Sequence, residues 1–239
     1  DLFILEDAAH ALEAVSNIGK VGNTNHAAAF SFYANKNITT LGEGGAVSTN
    51  DRELGEKIKK LSLHGMSKDG WKRFKTNGKW AYDISELGYK YNMTDVSASF
   101  GLWQIQFVND WLTKRKSIFN KYSMILKNIE GIICPENNID GTCSNHLYII
   151  RIISELWSID RDKIIVKLNE CGIGTSVHYI PVHMHSYYFK KYGFKPSDFP
   201  NANTFSKTVI SLPLYPAMSD KQVDFVISKI CEIWYKYKL

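Results

Sequence analysis

The chain opens with a continuous apolar run, Leu2-Phe3-Ile4-Leu5, which ends in the acidic pair Glu6-Asp7. A strand with one face in solvent alternates apolar and polar residues, whereas a strand covered on both faces stays apolar throughout. The run therefore predicts a strand that is buried on both faces of a parallel sheet. Acidic side chains at its carboxyl end would then lie where open α/β sheets bind their ligands.

Strand and helix patterns alternate along the first part of the chain. Short apolar runs predict two more strands, at residues 27–33 and 44–49. Apolar residues at helical spacing then predict one long helix that starts at Thr94 or Asp95 and ends near residue 126. The repeating residues are Val96, Phe100, Trp103, Phe107 and Trp111. This alternation indicates an α/β chain with a mixed, mostly parallel sheet.

The composition of the chain changes near residue 130, where glycine, proline and several asparagines mark a linker. We therefore predict two domains: residues 1–128, which include the long helix, and a smaller α+β domain of residues 129–239. The predicted elements of the smaller domain are strands at 146–152 and 175–179, a helix at 160–171, and a final helix capped by Ser219 and Gln222.

The net charge of +5 comes from 29 basic and 24 acidic residues. Basic residues are densest at 57–60 and 114–116, and both patches lie in helix-like segments, where a solvated helix face is the expected role. A nucleic-acid-binding protein concentrates its basic residues on one face, so the charge alone gives that function little support. A mild positive excess also suits an anionic small substrate.

Neither the cysteines nor the hydropathy pattern indicate an oxidising or membrane environment. The four cysteines form no C-x-x-C pair and have no histidine at metal-binding spacing, so we expect reduced thiols and no metal site. No stretch reaches about 18 uninterrupted apolar residues. We therefore expect a cytoplasmic protein that binds no membrane.

Polar residues follow the first two apolar runs. Asp7 ends the first run, Ser31 lies near the end of the second, and Lys36 follows before the glycine-rich turn Gly42-Glu43-Gly44-Gly45. Each has an ordinary alternative: a strand-end Asp is often a helix N-cap, a lone Lys is usually solvated, and such a turn is usually a plain loop. Together they supply the carboxylate, hydroxyl and amine that a pyridoxal 5′-phosphate (PLP) enzyme needs.

The order and spacing of several motifs resemble the DegT/DnrJ/EryC1/StrS family of PLP-dependent nucleotide-sugar aminotransferases, which have the aspartate aminotransferase (type I) fold. The resemblance covers nearly the whole chain, which makes it far more specific than a lone glycine motif. The matching segments are residues 4–11, 30–40, 42–45, 63–65, 87–95, 172–175, 178–183 and 211–215.

The resemblance implies a role for each residue at a matching position. Lys36 would hold the cofactor as a Schiff base and later shuttle the proton. Asp7 would pair with the pyridinium nitrogen, and Ser31 would donate to the phosphate. His10 would contact the cofactor ring or its hydroxyl, although many relatives carry Gln at that position.

The resemblance also implies shared sites and a substrate side. Asn92 would reach the phosphate of the neighbouring subunit's cofactor, which implies a homodimer. His178, Tyr179 and His183 would lie near the substrate, with domain packing as the alternative for all three. Structural support is implied for Glu43 and His64.

Transamination is the implied reaction, because family members with His in place of Lys36 are sugar dehydratases. An amino group, with glutamate as the expected donor, would move to a keto-sugar linked to a nucleotide, as in polysaccharide biosynthesis.

The family's large domain begins well before a residue like Asp7. We therefore expect the chain to lack an N-terminal part with a phosphate-binding turn and a ring-stacking aromatic residue, and to bind PLP weakly or not at all alone. The alternative function is a non-catalytic remnant or partner-binding module.

Overall fold

A computed structural model describes residues 2–66, 82–136 and 141–239. The chain divides into two compact units: Asp1–Asn109 with Asn138–Ser144, and Asp110–Asn137 with Asn145–Leu239. The predicted domain boundary after residue 128 stays a prediction. Nearly all of the helix Val108–Leu126, which precedes this boundary, belongs to the second compact unit.

The described part of the first unit contains five short strands: β1 (Leu5–Asp7), β2 (Val15–Ser16), β3 (Gly19–Lys20), β4 (Ala27–Ser31) and β5 (Gly45–Ser48). Three of them form a sheet in the order β1-β4-β5, and β2 pairs with β3 in a separate hairpin. β1 runs parallel to β4, with Leu5 opposite Ala27, whereas β5 runs antiparallel to β4. The sheet is therefore mixed, in agreement with the predicted fold class.

The apolar run at the start of the chain forms a shorter and more exposed strand than predicted. The exposed fractions of Leu2, Phe3, Ile4 and Leu5 are 87%, 61%, 55% and 65%. Among the described residues β1 has one neighbour, β4, so it lies at a sheet edge. The strand and its parallel pairing are confirmed, but the prediction of burial on both faces is wrong, because no described layer covers these side chains.

The predicted long helix is present but is interrupted. In the residues that the structure describes, helix α1 (Arg52–Leu61) precedes α2 (Asp95–Gln104), which continues into a 3-10 turn (Ile105–Phe107) and α3 (Val108–Leu126). Thr94 caps α2, since its hydroxyl accepts the backbone N–H of Ser97 at 3.2 Å. The predicted start at Thr94 or Asp95 is therefore confirmed.

The second unit surrounds an antiparallel sheet of three strands: β6 (Ile132–Ile133), β7 (Tyr148–Ile152) and β8 (Val209–Leu212), in that order. Its helices are α4 (Arg161–Glu170), α5 (Ser186–Tyr192), α6 (Pro200–Thr208) and α7 (Asp220–Tyr237). α3, α4 and α7 pack with the sheet around one hydrophobic core. The fully buried side chains of that core include Tyr122, Leu126, Tyr148, Ile150, Leu168, Ile210 and Val223.

The C-terminal predictions hold with one exception. Ser219 and Gln222 form the predicted capping box at the start of α7. The predicted strand at 175–179 is wrong, because the segment makes a single bridge, Ser176 to Ser211, and no continuous ladder. None of the helices in the described ranges is long and apolar enough to cross a bilayer.

Candidate active site

The parallel pairing of β1 and β4 brings Asp7 and Ser31 to the same edge of the sheet. Asp7 ends β1 opposite Ala29, and Ser31 ends β4 two residues further on. Both strands end at the carboxyl edge, which is where parallel sheets bind ligands. The Asp7 carboxylate is exposed and accepts the N–H of Ala9 at 3.1 Å. Ser31 Oγ accepts the N–H of Tyr33 at 3.3 Å, which leaves its hydroxyl proton for another acceptor.

Lys36 lies in a closed loop that leaves the same edge and returns as β5. Two backbone hydrogen bonds, each 2.8 Å long, continue the β4–β5 pairing: Phe32 N–H to Gly44 C=O and Ala34 N–H to Gly42 C=O. The side chain of Lys36 is half-buried. The loop that carries Lys36 is thus a backbone-bonded extension of the sheet, and it begins directly after Ser31.

The glycine-rich turn gives this loop its shape. Gly42 has φ +123°, which side-chain-bearing residues rarely adopt. A Cβ at Gly44 would overlap Thr40 Oγ1, so only glycine fits beside that buried threonine. The Thr40 hydroxyl donates to the Glu43 carbonyl at 2.9 Å. Glu43 therefore takes part in the loop through its backbone, and its predicted support role stays a prediction for the side chain.

His10 and Asn92 also lie in the first unit, but neither belongs to the strands that form this edge. His10 follows β1 by three residues, and its carbonyl accepts a hydrogen bond from the Ser144 hydroxyl. Asn92 is exposed, and its side-chain oxygen accepts from Lys90 Nζ at 2.5 Å. The sheet pairing brings Asp7 and Ser31 to one edge, Lys36 lies in the loop that follows Ser31, and the roles of all five residues stay predictions.

His64 sits at a tight backbone crossing. It has φ +59°, and its N–H donates to the Tyr89 carbonyl at 2.8 Å. The neighbouring Gly65 has φ +69°, and a Cβ there would overlap the Glu86 carbonyl. A Cβ at Gly88 would in turn overlap Gly65 N. The two glycines allow two chain segments to touch, which is consistent with a structural role for the His64 segment.

The three predicted substrate-side residues lie in the second unit and differ in exposure. His178 Nδ1 lies 2.7 Å from Ser211 Oγ. Tyr179 is 59% exposed and contacts the His178 ring edge-on, with centroids 4.7 Å apart. His183 is 8% exposed, its ring lies 4.5 Å from that of Phe199, and its buried Nε2 has no hydrogen-bond partner among the described residues. Tyr179 is the most accessible of the three, whereas His183 is packed.

Arg115 departs from its predicted place on a solvated helix face. It is 5% exposed, and its Nη1 donates to the carbonyls of Leu214, His146 and Asn145 at 3.0, 3.3 and 3.5 Å. Burial lowers the pKa of Arg115 to about 10. A signal was present in the sequence, because Arg115 precedes the apolar positions 118, 119 and 122 at helical spacing and so continues the buried face.

Comparisons with known proteins agree on one family. The model of the DegT/DnrJ/EryC1/StrS aminotransferase family matches residues 1–231. The spore coat polysaccharide biosynthesis protein SpsC of Bacillus subtilis is 46% identical over 97% of this chain and 60% of its own length. A UDP-4-amino-4-deoxy-L-arabinose–oxoglutarate aminotransferase of Shewanella sediminis is 34% identical over 96% of this chain and 60% of its own.

Solved structures give the same result. Spr1654 of Streptococcus pneumoniae, named as a sugar aminotransferase and solved in its PMP form, is 34% identical with a TM-score of 0.87, and the match covers 98% of this chain and 59% of that one. PseC of Helicobacter pylori, an aminotransferase of pseudoaminic acid biosynthesis, is 28% identical with a TM-score of 0.86, over 98% and 60%. The chain thus spans about 60% of the length of the curated relatives it matches.

Proposed function

Because the chain belongs to the DegT/DnrJ/EryC1/StrS aminotransferase family, we propose that it acts in the PLP-dependent transfer of an amino group to a nucleotide-linked keto-sugar. Family membership follows from the match over residues 1–231 and confirms the resemblance of the motifs. The observation that carries the proposal is the shared sheet edge of Asp7, Ser31 and the Lys36 loop.

The groups at this edge fit the chemistry of PLP. A carboxylate, a hydroxyl with a free proton and a primary amine match the pyridine nitrogen, the phosphate and the aldehyde of the cofactor in turn. Spr1654, which this chain resembles over 98% of its length, has also been solved in a PLP form. When bound, PLP supplies an electron sink for the bonds at the substrate carbon.

Each residue at the edge has a distinct task in this proposal. The exposed Asp7 carboxylate would hold a proton on the ring nitrogen by charge and hydrogen bonding. Ser31 would donate its hydroxyl proton to the phosphate dianion. Lys36 would hold the cofactor through Nζ and would accept and return a proton at that atom. His10, three residues after β1, contacts the ring or its hydroxyl.

Substrate and donor follow from the relatives' names and the second unit. The Shewanella relative is named for an amino-sugar nucleotide and oxoglutarate, which supports glutamate as the donor for this chain. The name of the Bacillus relative supports a place in polysaccharide biosynthesis. We assign His178, Tyr179 and His183 to the substrate side, and the exposed phenol of Tyr179 is the best placed to meet a ligand.

A cytoplasmic homodimer with shared sites is part of the same proposal. Asn92 is exposed just before α2, and that helix also exposes Val96 (69%) and Trp103 (51%). A second copy on this apolar surface would bring Asn92 to the phosphate of its partner's cofactor. Light scattering in solution tests the dimer, and a monomer at all accessible concentrations would contradict it.

The alternative of a non-catalytic remnant is not favoured. The sheet edge and the loop that follows it retain the carboxylate, the hydroxyl and the amine, and relatives found both by sequence and by structure are named as aminotransferases.

Binding of PLP compared with pyridoxal tests the proposed site, because pyridoxal lacks the phosphate. Ser31→Ala is expected to weaken PLP binding about tenfold or more, as for a lost hydrogen bond to a charged group, and to leave pyridoxal binding unchanged. Asp7→Asn is expected to weaken both. Ser99→Ala, at an exposed position of α2, is the matched control. Equal effects of Ser31→Ala on the two ligands would contradict the assignment.

A further inference from the structure

Helix α2 buries its polar residue and exposes its apolar ones. Gln104 is 5% exposed and is the one buried residue of this helix, every residue of which the structure describes. Leu102 and Trp103, beside it, are 66% and 51% exposed. A buried amide destabilises a fold unless its hydrogen bonds are made, so the partners of Gln104 explain its position.

The Gln104 side chain pairs with both backbone groups of a single residue, Thr39. Its Oε1 accepts the Thr39 N–H at 3.2 Å, and its Nε2 donates to the Thr39 carbonyl. Nε2 also lies 3.5 Å from the Phe100 carbonyl within α2. The amide therefore serves Thr39 as the backbone of a neighbouring strand would, and Thr39 is three residues after Lys36.

The segment between Lys36 and this contact is held at further points. Asn37 Nδ2 donates to the Ser144 carbonyl at 3.1 Å, and the side chain of Ile38 is 2% exposed. On the other side of the loop, the Thr40 N–H donates to the Phe32 carbonyl at 3.1 Å. Residues 37–40 are thus held by Phe32, directly after β4, by Ser144 and by Gln104.

A glycine one turn earlier in α2 allows this contact to form. Gly101 precedes Gln104 by three residues, so the two share a helix face. A Cβ at Gly101 would lie 2.9 Å from Thr40 Cγ2, closer than real Cβ atoms come to their neighbours. The helix can therefore approach the loop closely enough for Gln104 to reach Thr39 only because position 101 has no side chain.

We propose that Gln104 is a positioning residue for Lys36. It fixes the loop at Thr39, and so it holds the backbone that carries the Lys36 amine, three residues earlier. The inference rests on the proposed function, in which Lys36 captures PLP. Because covalent capture depends on the geometry of the approaching amine, a loop that loses this contact is expected to react more slowly while the rest of the edge still binds the cofactor's ring and phosphate.

Amide hydrogen exchange in the cofactor-free protein tests the contact itself. Gln104→Met keeps the length of the side chain and removes both hydrogen bonds, and Gln106→Met changes an exposed glutamine of the adjoining 3-10 turn. The Thr39 amide is expected to exchange about tenfold faster in Gln104→Met and at the wild-type rate in Gln106→Met. Unchanged exchange in both variants would overturn the proposal.

Two binding measurements separate positioning from a general loss of structure. In Gln104→Met, borohydride-trapped capture of PLP on Lys36 is expected to slow about tenfold, while the affinity for pyridoxine 5′-phosphate, which has no aldehyde, stays unchanged. Gly101→Ala is expected to change the rate of PLP capture and the affinity for pyridoxine 5′-phosphate in the same direction, because its new Cβ displaces Thr40. Faster Thr39 exchange with wild-type capture of PLP would overturn the positioning role.

A failure of the proposed function would be visible separately. Because the chain alone is expected to bind PLP weakly, capture is measured at saturating PLP. If the wild-type chain captures none on Lys36 under that condition, the proposed function fails for this chain, and labelling of Lys36 by an amine-reactive ester then decides the positioning role. A changed labelling rate in Gln104→Met, with Gln106→Met as in the wild type, would support positioning, and equal rates in all three proteins would overturn it.

Discussion

Replacing Arg115 by methionine tests how the second unit stabilises a buried cation. Burial lowers the pKa of Arg115 from 12.5 to about 10, so the residue is still charged at neutral pH. A shift of about 2.5 units corresponds to roughly 3 kcal/mol that folding spends on desolvating the charge. Among the described residues no carboxylate pairs with it, and three backbone carbonyls take that place.

The expected size of the effect follows from these two opposing contributions. Arg115→Met removes the desolvation cost of about 3 kcal/mol but takes the donor from three carbonyls. At roughly 2 kcal/mol for each buried group left unsatisfied, the loss is about 4 to 6 kcal/mol when two or three remain unpaired. The net expectation is a decrease in unfolding free energy of about 1 to 3 kcal/mol.

Urea unfolding followed by circular dichroism measures this difference through the midpoint at constant slope. Lys116→Met, at the exposed neighbouring position of α3, is the matched control and should change stability by less than about 0.5 kcal/mol. Arg115→Lys should destabilise at least as much as methionine, because an ammonium cannot span the three carbonyls. An Arg115→Met protein as stable as the wild type would refute the reasoning, since the carbonyl contacts would then give no net stabilisation.

Two further predictions concern backbone crossing and alkaline pH. Gly65→Ala should destabilise the segment at residues 82–91 and speed its proteolysis, because the new Cβ overlaps the Glu86 carbonyl. Gly193→Ala is the control, since Gly193 has the same φ of +69° but open space around it, and it should lower the free energy of unfolding by only about 1 kcal/mol. Burial, with a hydrogen bond to Cys134, raises the pKa of Tyr148 above its usual range. Because the pKa of Tyr148 is higher in the folded state than the unfolded value of about 10, its contribution to stability is complete below that pH and is lost as the pH rises above it. The free energy of unfolding should therefore fall in alkali, and should fall less in Tyr148→Phe.

Local sequence patterns predicted the elements that depend on neighbouring residues. The Thr94 start and the Ser219 capping box need only a few adjacent side chains, and the structure has both. The predicted strand at 175–179 failed because a ladder also needs a partner of equal length, and Ser176 alone pairs with β8. The burial predicted for β1 failed for a related reason, because burial depends on other helices or strands that pack against the strand, and the strand's own sequence does not specify them.

Long-range contacts explain what the sequence could not show of the site. The motifs predict that Asp7, Ser31 and Lys36 act together, and the parallel pairing of β1 with β4 brings two of them to the same sheet edge. The amide of Gln104 meets a backbone partner 65 residues away, which no local pattern announces. Polar residues that leave no periodic trace are therefore found only when the folded contacts are known.

The measurement that tests the central claim most directly is the location of the label after borohydride reduction with saturating PLP. Peptide mapping is expected to place the pyridoxyl phosphate on Lys36, to show no dependence on salt, and to show no label at that position in Lys36→Ala. Asp7→Asn should lower the labelling of Lys36 without changing that of exposed lysines such as Lys57 and Lys190. Label spread over exposed lysines, with Lys36 no more reactive than Lys57, would contradict the account.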